Sequence, residues 1–280
     1  MHHRTLGVLA LLCAGAASAQ EAYWTPAATQ PGRGQWTAAV RGEYLRYQND
    51  PTGLGRRVDE YTLRTRLNYG VTRDIALTLE LPLYHRDTSA NEQGRAQGFD
   101  GTDTGAGDLT LSAKWRVWQH DTSGLDTQRL ALIGLLETPT GGPGLSSHSW
   151  NPGFGAVYTA VRGRHGTNQA LTYTFATGTD ANPLMPGQGT HDALRFDSNY
   201  LFRLYPERFE GDAGGAAYFV LEHNGVYETN GDIESLLSPG LLWEARNWAG
   251  EITVRMPLIQ DVDRRPERAW GIGLGVRILF

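Results

Sequence analysis

The last eleven residues of the chain, 270–280, read WGIGLGVRILF. Three glycines, Arg277 and Leu279 occupy the odd positions of this stretch. The even positions carry an apolar series: Trp270, Ile272, Leu274, Val276, Ile278 and Phe280. A period of two is typical of a β-strand whose two faces meet different surroundings. The stretch therefore predicts a strand with a continuous apolar face, in a 280-residue chain that is only 40% hydrophobic.

The same alternation recurs along the rest of the chain and predicts about twelve strands in all. With 269–280, the predicted strands are 36–47, 59–69, 75–85, 108–118, 129–138, 153–162, 168–177, 192–205, 216–225, 236–246 and 251–259. The 35 glycines, and the Gly-, Asp- or Asn-rich breaks at most strand ends, favour turns over long helices.

Two all-β architectures produce such alternation, and connector length distinguishes between them. A soluble sandwich points its apolar face inward, whereas a transmembrane barrel points it outward to lipid. The even-to-odd connectors are mostly short: 70–74, 119–128, 163–167, 206–215 and 247–250. The odd-to-even connectors are longer: 48–58, 86–107, 139–152, 178–191, 226–235 and 260–268. Short periplasmic turns and long outer loops are typical of an outer-membrane barrel.

Aromatic residues cluster near the strand ends on the apolar faces, where a membrane barrel carries its interfacial girdles. They are Trp36, Tyr44, Tyr61, Tyr69, Trp115, Tyr158, Tyr200, Trp243, Trp270 and Phe280. We therefore predict an all-β fold: a transmembrane antiparallel up-and-down β-barrel over residues 35–280, in the outer membrane of a Gram-negative bacterium. The glycine face of 270–280 would then leave space inside the barrel.

The N-terminus predicts a cleaved secretory signal peptide, residues 1–19. Arg4 precedes an apolar run, and Ala17-Ser18-Ala19 supplies a cleavage pattern of small residues. Cleavage would remove Cys13, the single cysteine of the chain. Residues 20–34 would be a periplasmic lead-in. Because Tyr23 and Trp24 would otherwise be exposed, this lead-in is also a candidate plug that folds into the lumen.

Four sequence blocks resemble, in order, recurrent blocks of a bacterial outer-membrane family. They are YGVTRDIALTLELPL (69–83), GAGDLTLSAKWRVW (105–118), LETPTGG (136–142) and SSHSWNPGFGAVY (146–158). The family is the outer-membrane β-barrel porin and transporter-like family named for the meta-pathway of phenol degradation. The resemblance implies a barrel that passes small solutes, including aromatic or hydrophobic compounds, across the outer membrane.

Strand parity predicts a set of ionised side chains that point into the lumen and line a transport path. They are Arg41, Glu43, Arg64, Arg66, Glu80, Lys114, Arg116, Glu137, Arg195, Asp197, Arg203, Glu222, Glu244, Arg246, Glu251, Arg255 and Arg277. A hydrated passage with a mild preference for anionic or polar solutes is one interpretation. Paired charges that fill a narrow barrel are the other, since buried charges need partners in either case.

Two further functions remain open at the level of sequence. An outer-membrane lipid hydrolase could use His85 or His148 as its base, although nucleophilic catalysis needs a hydroxyl within hydrogen-bond reach. His148 is followed by Ser149, whereas no outward serine lies near His85 on a neighbouring predicted strand. The third possibility is a closed structural or adhesive barrel whose loops bind a partner. We predict a transporter and not an enzyme.

No cofactor, metal site or nucleic-acid partner is predicted. The formal charge of −5 disfavours nucleic acid. His120, His165, His191 and His223 show no metal-ligand spacing. The loop 98–108 contains three aspartates but lacks the closing Glu of a calcium-binding EF-hand. The predicted partners are outer-membrane lipid and lipopolysaccharide, a small-molecule solute, and the barrel-assembly machinery through the C-terminal strand that ends in Phe280.

Overall fold

The computed structural model describes residues 21–123, 126–178, 184–187, 189–208 and 214–280. The predicted signal peptide, residues 1–19, lies outside the described residues. Within these ranges, no helix is long and apolar enough to cross a bilayer.

The described chain is almost entirely β-structure, with one short helix, α1 (Glu92–Ala96). The strands are β1 (Trp36–Gln48), β2 (Arg57–Gly70), β3 (Ile75–Ser89), β4 (Gly101–Ala106), β5 (Thr110–Asp121), β6 (Thr127–Glu137), β7 (Asn151–Arg162), β8 (His165–Thr174), β9 (Ala193–Tyr205), β10 (Ala216–Glu228), β11 (Ile233–Glu244), β12 (Trp248–Asp261) and β13 (Glu267–Leu279).

Each strand pairs antiparallel with its neighbours, and the last strand returns to the first. Trp36 and Phe280 exchange two backbone hydrogen bonds of 2.8 and 3.0 Å and so join the two ends of the sheet. β3 pairs with β5 over its first half and with β4 over its second half, so β4 and β5 share one position in the wall. The sheet is therefore a closed barrel of twelve strands, and the predicted fold is confirmed.

The exterior of the barrel is apolar, as the alternation predicts. On β13, Ile272 and Leu274 have exposed fractions of 37% and 58%, whereas Gly273 between them is buried. Tyr44 packs against Tyr61 and Trp270, with both centroid distances 5.1 Å, on the exterior of the outer half of the wall. Phe280 is exposed at the opposite end. Such a surface matches lipid between two aromatic girdles.

The prediction of a long outer loop over residues 86–107 is wrong, because the actual loop is shorter. β3 continues to Ser89, and β4 pairs with it from Gly101 to Ala106. Most of the other outer connectors are likewise shortened by strand extension, as between Glu228 and Ile233. The outer ends carry polar residues on both faces, as at the buried Arg86 and the exposed Asp87, so alternation of hydrophobicity disappears there although the ladder continues.

We expect Leu274→Arg to lower the free energy of unfolding in a bilayer by about 2–4 kcal/mol, because a charge near the bilayer midplane faces hydrocarbon. Val71→Arg is the matched control: Val71 is exposed in the turn between β2 and β3, where the cost falls to about 0–1 kcal/mol. Urea titration in lipid vesicles measures both values. Equal costs at the two positions would contradict a lipid-facing β13.

Candidate lumen site

The interior of the barrel has two unlike walls. The inner faces of β6 to β12 carry small or aliphatic buried residues that form an apolar wall: Ala131, Val157, Ala170, Leu201, Val220, Leu242 and Ala249. The four neighbouring strands β12, β13, β1 and β2 carry a basic wall: Arg255, Arg277, Arg41 and Arg66. The N-terminal segment, residues 21–34, lies between the two walls.

The N-terminal segment enters from the end of the barrel that holds the short turns. Gly34 donates to the carbonyl oxygen of Gly70 at 2.7 Å, and the Gln30 side chain donates to the carbonyl oxygen of Arg73 at 3.0 Å. Further along, the Lys114 ammonium donates to the carbonyl oxygens of Ala27 (2.7 Å) and Thr29. A single amine thus holds two carbonyl groups of the segment.

The middle of the segment packs on the apolar wall and binds its polar groups. Ala28 is fully buried beside Ala131 and Val157, and its N–H donates to Thr159 Oγ1 at 2.8 Å. Buried backbone donors need such acceptors, because an unpaired N–H away from water costs about 1–3 kcal/mol. The wall therefore supplies both apolar contact and acceptors for this stretch.

Glu222 on β10 accepts hydrogen bonds from the backbone of the preceding part of the segment. Its carboxylate accepts the N–H groups of Trp24 at 3.0 Å and Thr25 at 2.6 Å. The Trp24 ring lies 3.8 Å from the guanidinium carbon of Arg255, which itself donates to Glu43 at 2.7 Å. The segment is therefore held from the apolar side and from the basic side at the same height.

Tyr23 explains the glycine face of the C-terminal strand. A Cβ atom on Gly275 would lie 2.9 Å from two ring carbons of Tyr23, and one on Gly273 would lie 3.4 Å from the same ring. Any larger residue at 275 would therefore displace Tyr23. The ring is fixed by a 2.8 Å hydrogen bond from its hydroxyl to the carbonyl oxygen of Gly42, and Arg41 lies 5.2 Å from its centroid.

Glu21 places a carboxylate between two arginines of the basic wall. Its two oxygens lie 3.2 Å from Arg66 Nη1 and 3.2 Å from Arg277 Nη1. Burial alone would raise the pKa of Glu21, but Arg277 and Arg66, with further attraction from Lys114 and Arg41, lower it from 4.5 to about 2. The carboxylate is therefore ionised at neutral pH.

The space left between the segment and the wall is small. A cavity of about 20 Å³ is bordered by Glu21, Tyr23, Arg41, Glu251 and Arg277, among others. This volume has room for about one water molecule. The N-terminal segment therefore packs closely against the basic wall at this height.

Several of the predicted lumen charges on the basic side form ion pairs with each other. Glu80 binds Arg66 at 2.6 Å and Arg64 at 3.6 Å, and Glu244 binds Arg277 at 3.3 Å. These pairs orient the arginines by fixing one side of each guanidinium. On the opposite side, Asp197 accepts a 2.8 Å hydrogen bond from Asn224.

Five of the predicted lumen residues lie near the ends of the barrel. Arg116 binds Asp74 in the turn between β2 and β3 at 2.7 Å. Arg203 donates to the carbonyl oxygen of Pro206, Arg195 donates to the carbonyl oxygen of Pro186, and Glu137 is buried at the outer end of β6. The prediction for Arg246 is wrong. β11 ends at Glu244, so this side chain is exposed in a turn where strand parity no longer applies.

The outer mouth is crossed by part of the connector between β8 and β9. Leu184 is buried in a cluster with Leu45, Tyr47 and Val58, which lie on β1 and β2, on the far side of the barrel. The neighbouring Gly187 donates its N–H to Glu228 at 3.0 Å. The described residues 184–187 of this connector therefore lie across the outer mouth.

Three of the quoted sequence blocks meet at Asp108. Its carboxylate accepts hydrogen bonds from the N–H of Gly141 (2.9 Å), from Ser146 Oγ (2.6 Å) and from the N–H of Ser147 (2.9 Å). Asp100 instead accepts the N–H of Ala90 at 3.1 Å. The aspartates of the loop 98–108 therefore serve separate turns. Among the described residues, no three His, Cys, Asp or Glu side chains are grouped as metal ligands.

The two candidate hydrolase bases differ in their surroundings. His148 is exposed, and the neighbouring Ser149 hydroxyl is 3.0 Å from Asn151 Oδ1 and 3.1 Å from Ser147 Oγ. His85 lies on the exterior, with Nδ1 2.7 Å from Thr104 Oγ1 and Nε2 3.3 Å from Asp87. Thr104 was not predicted near His85, because the sequence pattern places it in the loop 86–107, whereas it lies in β4.

The structure is similar to solved bacterial outer-membrane barrels. An outer membrane channel from Pseudomonas putida F1 matches with a TM-score of 0.62 and 15% identity, covering 93% of this chain and 100% of that one. The β domain of the Bordetella autotransporter Brka matches with a TM-score of 0.50 and 11% identity, covering 87% and 98%. At these identities the likeness concerns the fold.

No family model and no curated protein matches the sequence. A closed barrel satisfies its backbone within lipid, and this one carries an apolar exterior with aromatic girdles. Together with the shared fold, these features locate the protein in the outer membrane of a Gram-negative bacterium.

We expect Gly275→Val to displace Tyr23 and release the N-terminal segment. A cysteine placed at Ala22 by Ala22→Cys would report the release as faster labelling by a water-soluble maleimide. Gly134→Val is the matched control, since a Cβ at Gly134 meets nothing within 4 Å. Equal labelling rates in the two valine variants would contradict the packing described here.

Glu21 gives the stability a defined pH dependence. Its folded-state pKa is depressed, so its contribution is complete above the ordinary value of 4.5 and is lost as the pH falls towards 2. A change from 4.5 to about 2 corresponds to about 3 kcal/mol at most. Unfolding free energies of wild type and Glu21→Gln should therefore differ at pH 7 and converge near pH 2. A difference that is constant with pH would be contrary evidence.

Proposed function

We propose that the protein is a passive channel for small solutes across the outer membrane, and that the N-terminal segment is its plug. The observation that carries the proposal is that residues 21–34, which precede the first strand, contact both the apolar wall and the basic wall. The chain joins the wall only at Trp36, and the segment is held largely by polar contacts such as those to Glu222 and Lys114.

Polar contacts of this kind favour a plug that can leave. Water can replace hydrogen bonds and ion pairs at modest cost, because a typical intramolecular hydrogen bond contributes a net of about 0.5–1.5 kcal/mol. The wall keeps its own ion pairs, such as Arg255 with Glu43 and Arg66 with Glu80, when the segment is absent. The lumen would then be lined by paired charges around water.

The solute class follows from the basic wall and from the sequence resemblance. Four arginines on adjacent strands favour anions over cations. The resemblance to the family named for the meta-pathway of phenol degradation supports aromatic or hydrophobic solutes. The shared fold with an outer membrane channel of Pseudomonas putida F1 is consistent with passage as the activity.

A lipid hydrolase is the second candidate, because His85 has a hydroxyl and a carboxylate within reach on the lipid-facing surface. Assays of phospholipid and lipopolysaccharide hydrolysis with wild type and His85→Ala test it. An absence of activity in wild type ends this candidate, whereas activity that is lost in His85→Ala would replace the channel proposal.

Deletion of residues 21–31 should raise the single-channel conductance in planar bilayers, because the filler is removed while the contacts of Gly34 with Gly70 are kept. The control is a chain of the same length in which 21–31 is replaced by Gly and Ser. We expect this control to resemble the deletion, because the contacts and not the length hold the plug. Unchanged conductance in the deletion would refute the plug, and an absence of conductance in every folded variant would favour a closed structural or adhesive barrel.

A further inference from the structure

The surface beneath Glu21 and Tyr23 is a recess in the barrel wall. The carboxylate of Glu21 and the ring of Tyr23 border the same small cavity, together with Arg41, Gly275 and Arg277. If both side chains leave with the segment, a recess remains whose floor is the glycine face of β13. The wall is thus shaped around a carboxylate and a ring that lie close together.

The cationic part of the recess is already oriented without Glu21. Arg66 is fixed by Glu80 at 2.6 Å and Arg277 by Glu244 at 3.3 Å, and each arginine directs its Nη1 atom to Glu21 at 3.2 Å. Guanidinium groups held in this way match a planar carboxylate in charge and in geometry. A single point charge on a lysine would not impose this orientation.

The aromatic part of the recess combines a flat floor with nearby cations. Gly273 and Gly275 let a ring approach the backbone of β13 closely, as Tyr23 does. Arg41 lies 5.2 Å from the Tyr23 centroid, and Arg255 lies 3.8 Å from the neighbouring Trp24 ring. Cations are attracted to ring faces, and most strongly where water is excluded.

We propose that this recess is a binding site for aromatic carboxylate anions, and that residues 21–24 occupy it as an intramolecular ligand. The inference rests on the proposed function in one respect, namely that the segment can leave the lumen. A soluble arene carboxylate would place its carboxylate on Arg66 and Arg277 and its ring on Gly273 and Gly275. The solute and the segment then compete for one site.

If the segment and the solute compete, weaker binding of the segment to the wall should give a higher affinity for the solute. Glu21→Gln removes the ion pairs of the segment but leaves the wall intact. The apparent dissociation constant is inversely proportional to the fraction of molecules whose site is free, and we expect Glu21→Gln to raise that fraction, and hence the apparent affinity, by about tenfold. Arg277→Gln and Arg66→Gln remove the guanidinium groups that would bind the carboxylate of the solute. Each should abolish binding, both in the wild-type protein and in Glu21→Gln.

The experiment is a titration of the folded full-length protein in detergent micelles with 4-fluorobenzoate, followed by fluorine NMR, with protein-free micelles as blank. Glu207→Gln is the matched control, because Glu207 is a solvent-exposed carboxylate in the turn after β9. It should leave the affinity unchanged. Folding of each variant is checked by its heat-modifiable mobility on a gel, so that a lost barrel is not scored as lost binding.

Two analogues separate the parts of the site. Cyclohexanecarboxylate keeps the charge and 4-fluorophenol keeps the ring, and each should bind at least about tenfold more weakly than the benzoate, as expected when one polar or cationic contact is missing. Equal binding of benzoate and cyclohexanecarboxylate would overturn the aromatic site. Unchanged affinity in Glu21→Gln would overturn the competition. These readouts are independent of conductance, so benzoate binding in a protein that passes no current would refute the channel and not the site.

Discussion

The structure depends on one constraint, which is that hydrocarbon offers no hydrogen-bond partner to a peptide group. Each unpaired N–H or C=O would cost several kcal/mol, so the sheet has to close. Closure occurs where Trp36 and Phe280 exchange both of their hydrogen bonds. Once the sheet is a ring, every strand has a lipid side and a lumen side, and the period-two sequence follows from that division.

Closure of the sheet encloses a lumen whose apolar and charged side chains have to be packed or paired. Twelve strands enclose a space that side chains alone fill on one side only, where residues such as Val157 and Leu201 are packed. On the other side the wall presents guanidinium groups, and a buried charge is stable only with a partner. The N-terminal segment supplies that partner through Glu21 and rings for the remaining cations. The contacts that hold the segment against the basic wall therefore also neutralise charges of that wall.

Much of the wall could be predicted because alternation is a local property. The strands and their outward faces, such as Leu274 and Val276, follow from neighbouring residues only. The alternation of apolar and polar residues ends at the edge of the lipid-facing band. The sequence therefore assigns the extension of β3 and the strand β4 to a loop. Parity also fails beyond a strand end, as at Arg246. Contacts between distant parts of the chain, such as Glu21 with Arg277 or His85 with Thr104, have no spacing from which they could be predicted.

The position of Lys114 determines how the protein reacts with amine-directed reagents. It is the single lysine among 25 basic residues that are otherwise arginine, and its amine caps two carbonyl groups of the segment inside the barrel. The only side-chain primary amine of the chain is therefore enclosed. Acylating reagents that modify lysines elsewhere in the envelope would find no exposed lysine on this exterior. An isotopically labelled lysine would yield one interior resonance, a reporter in which every spectral change refers to the same place.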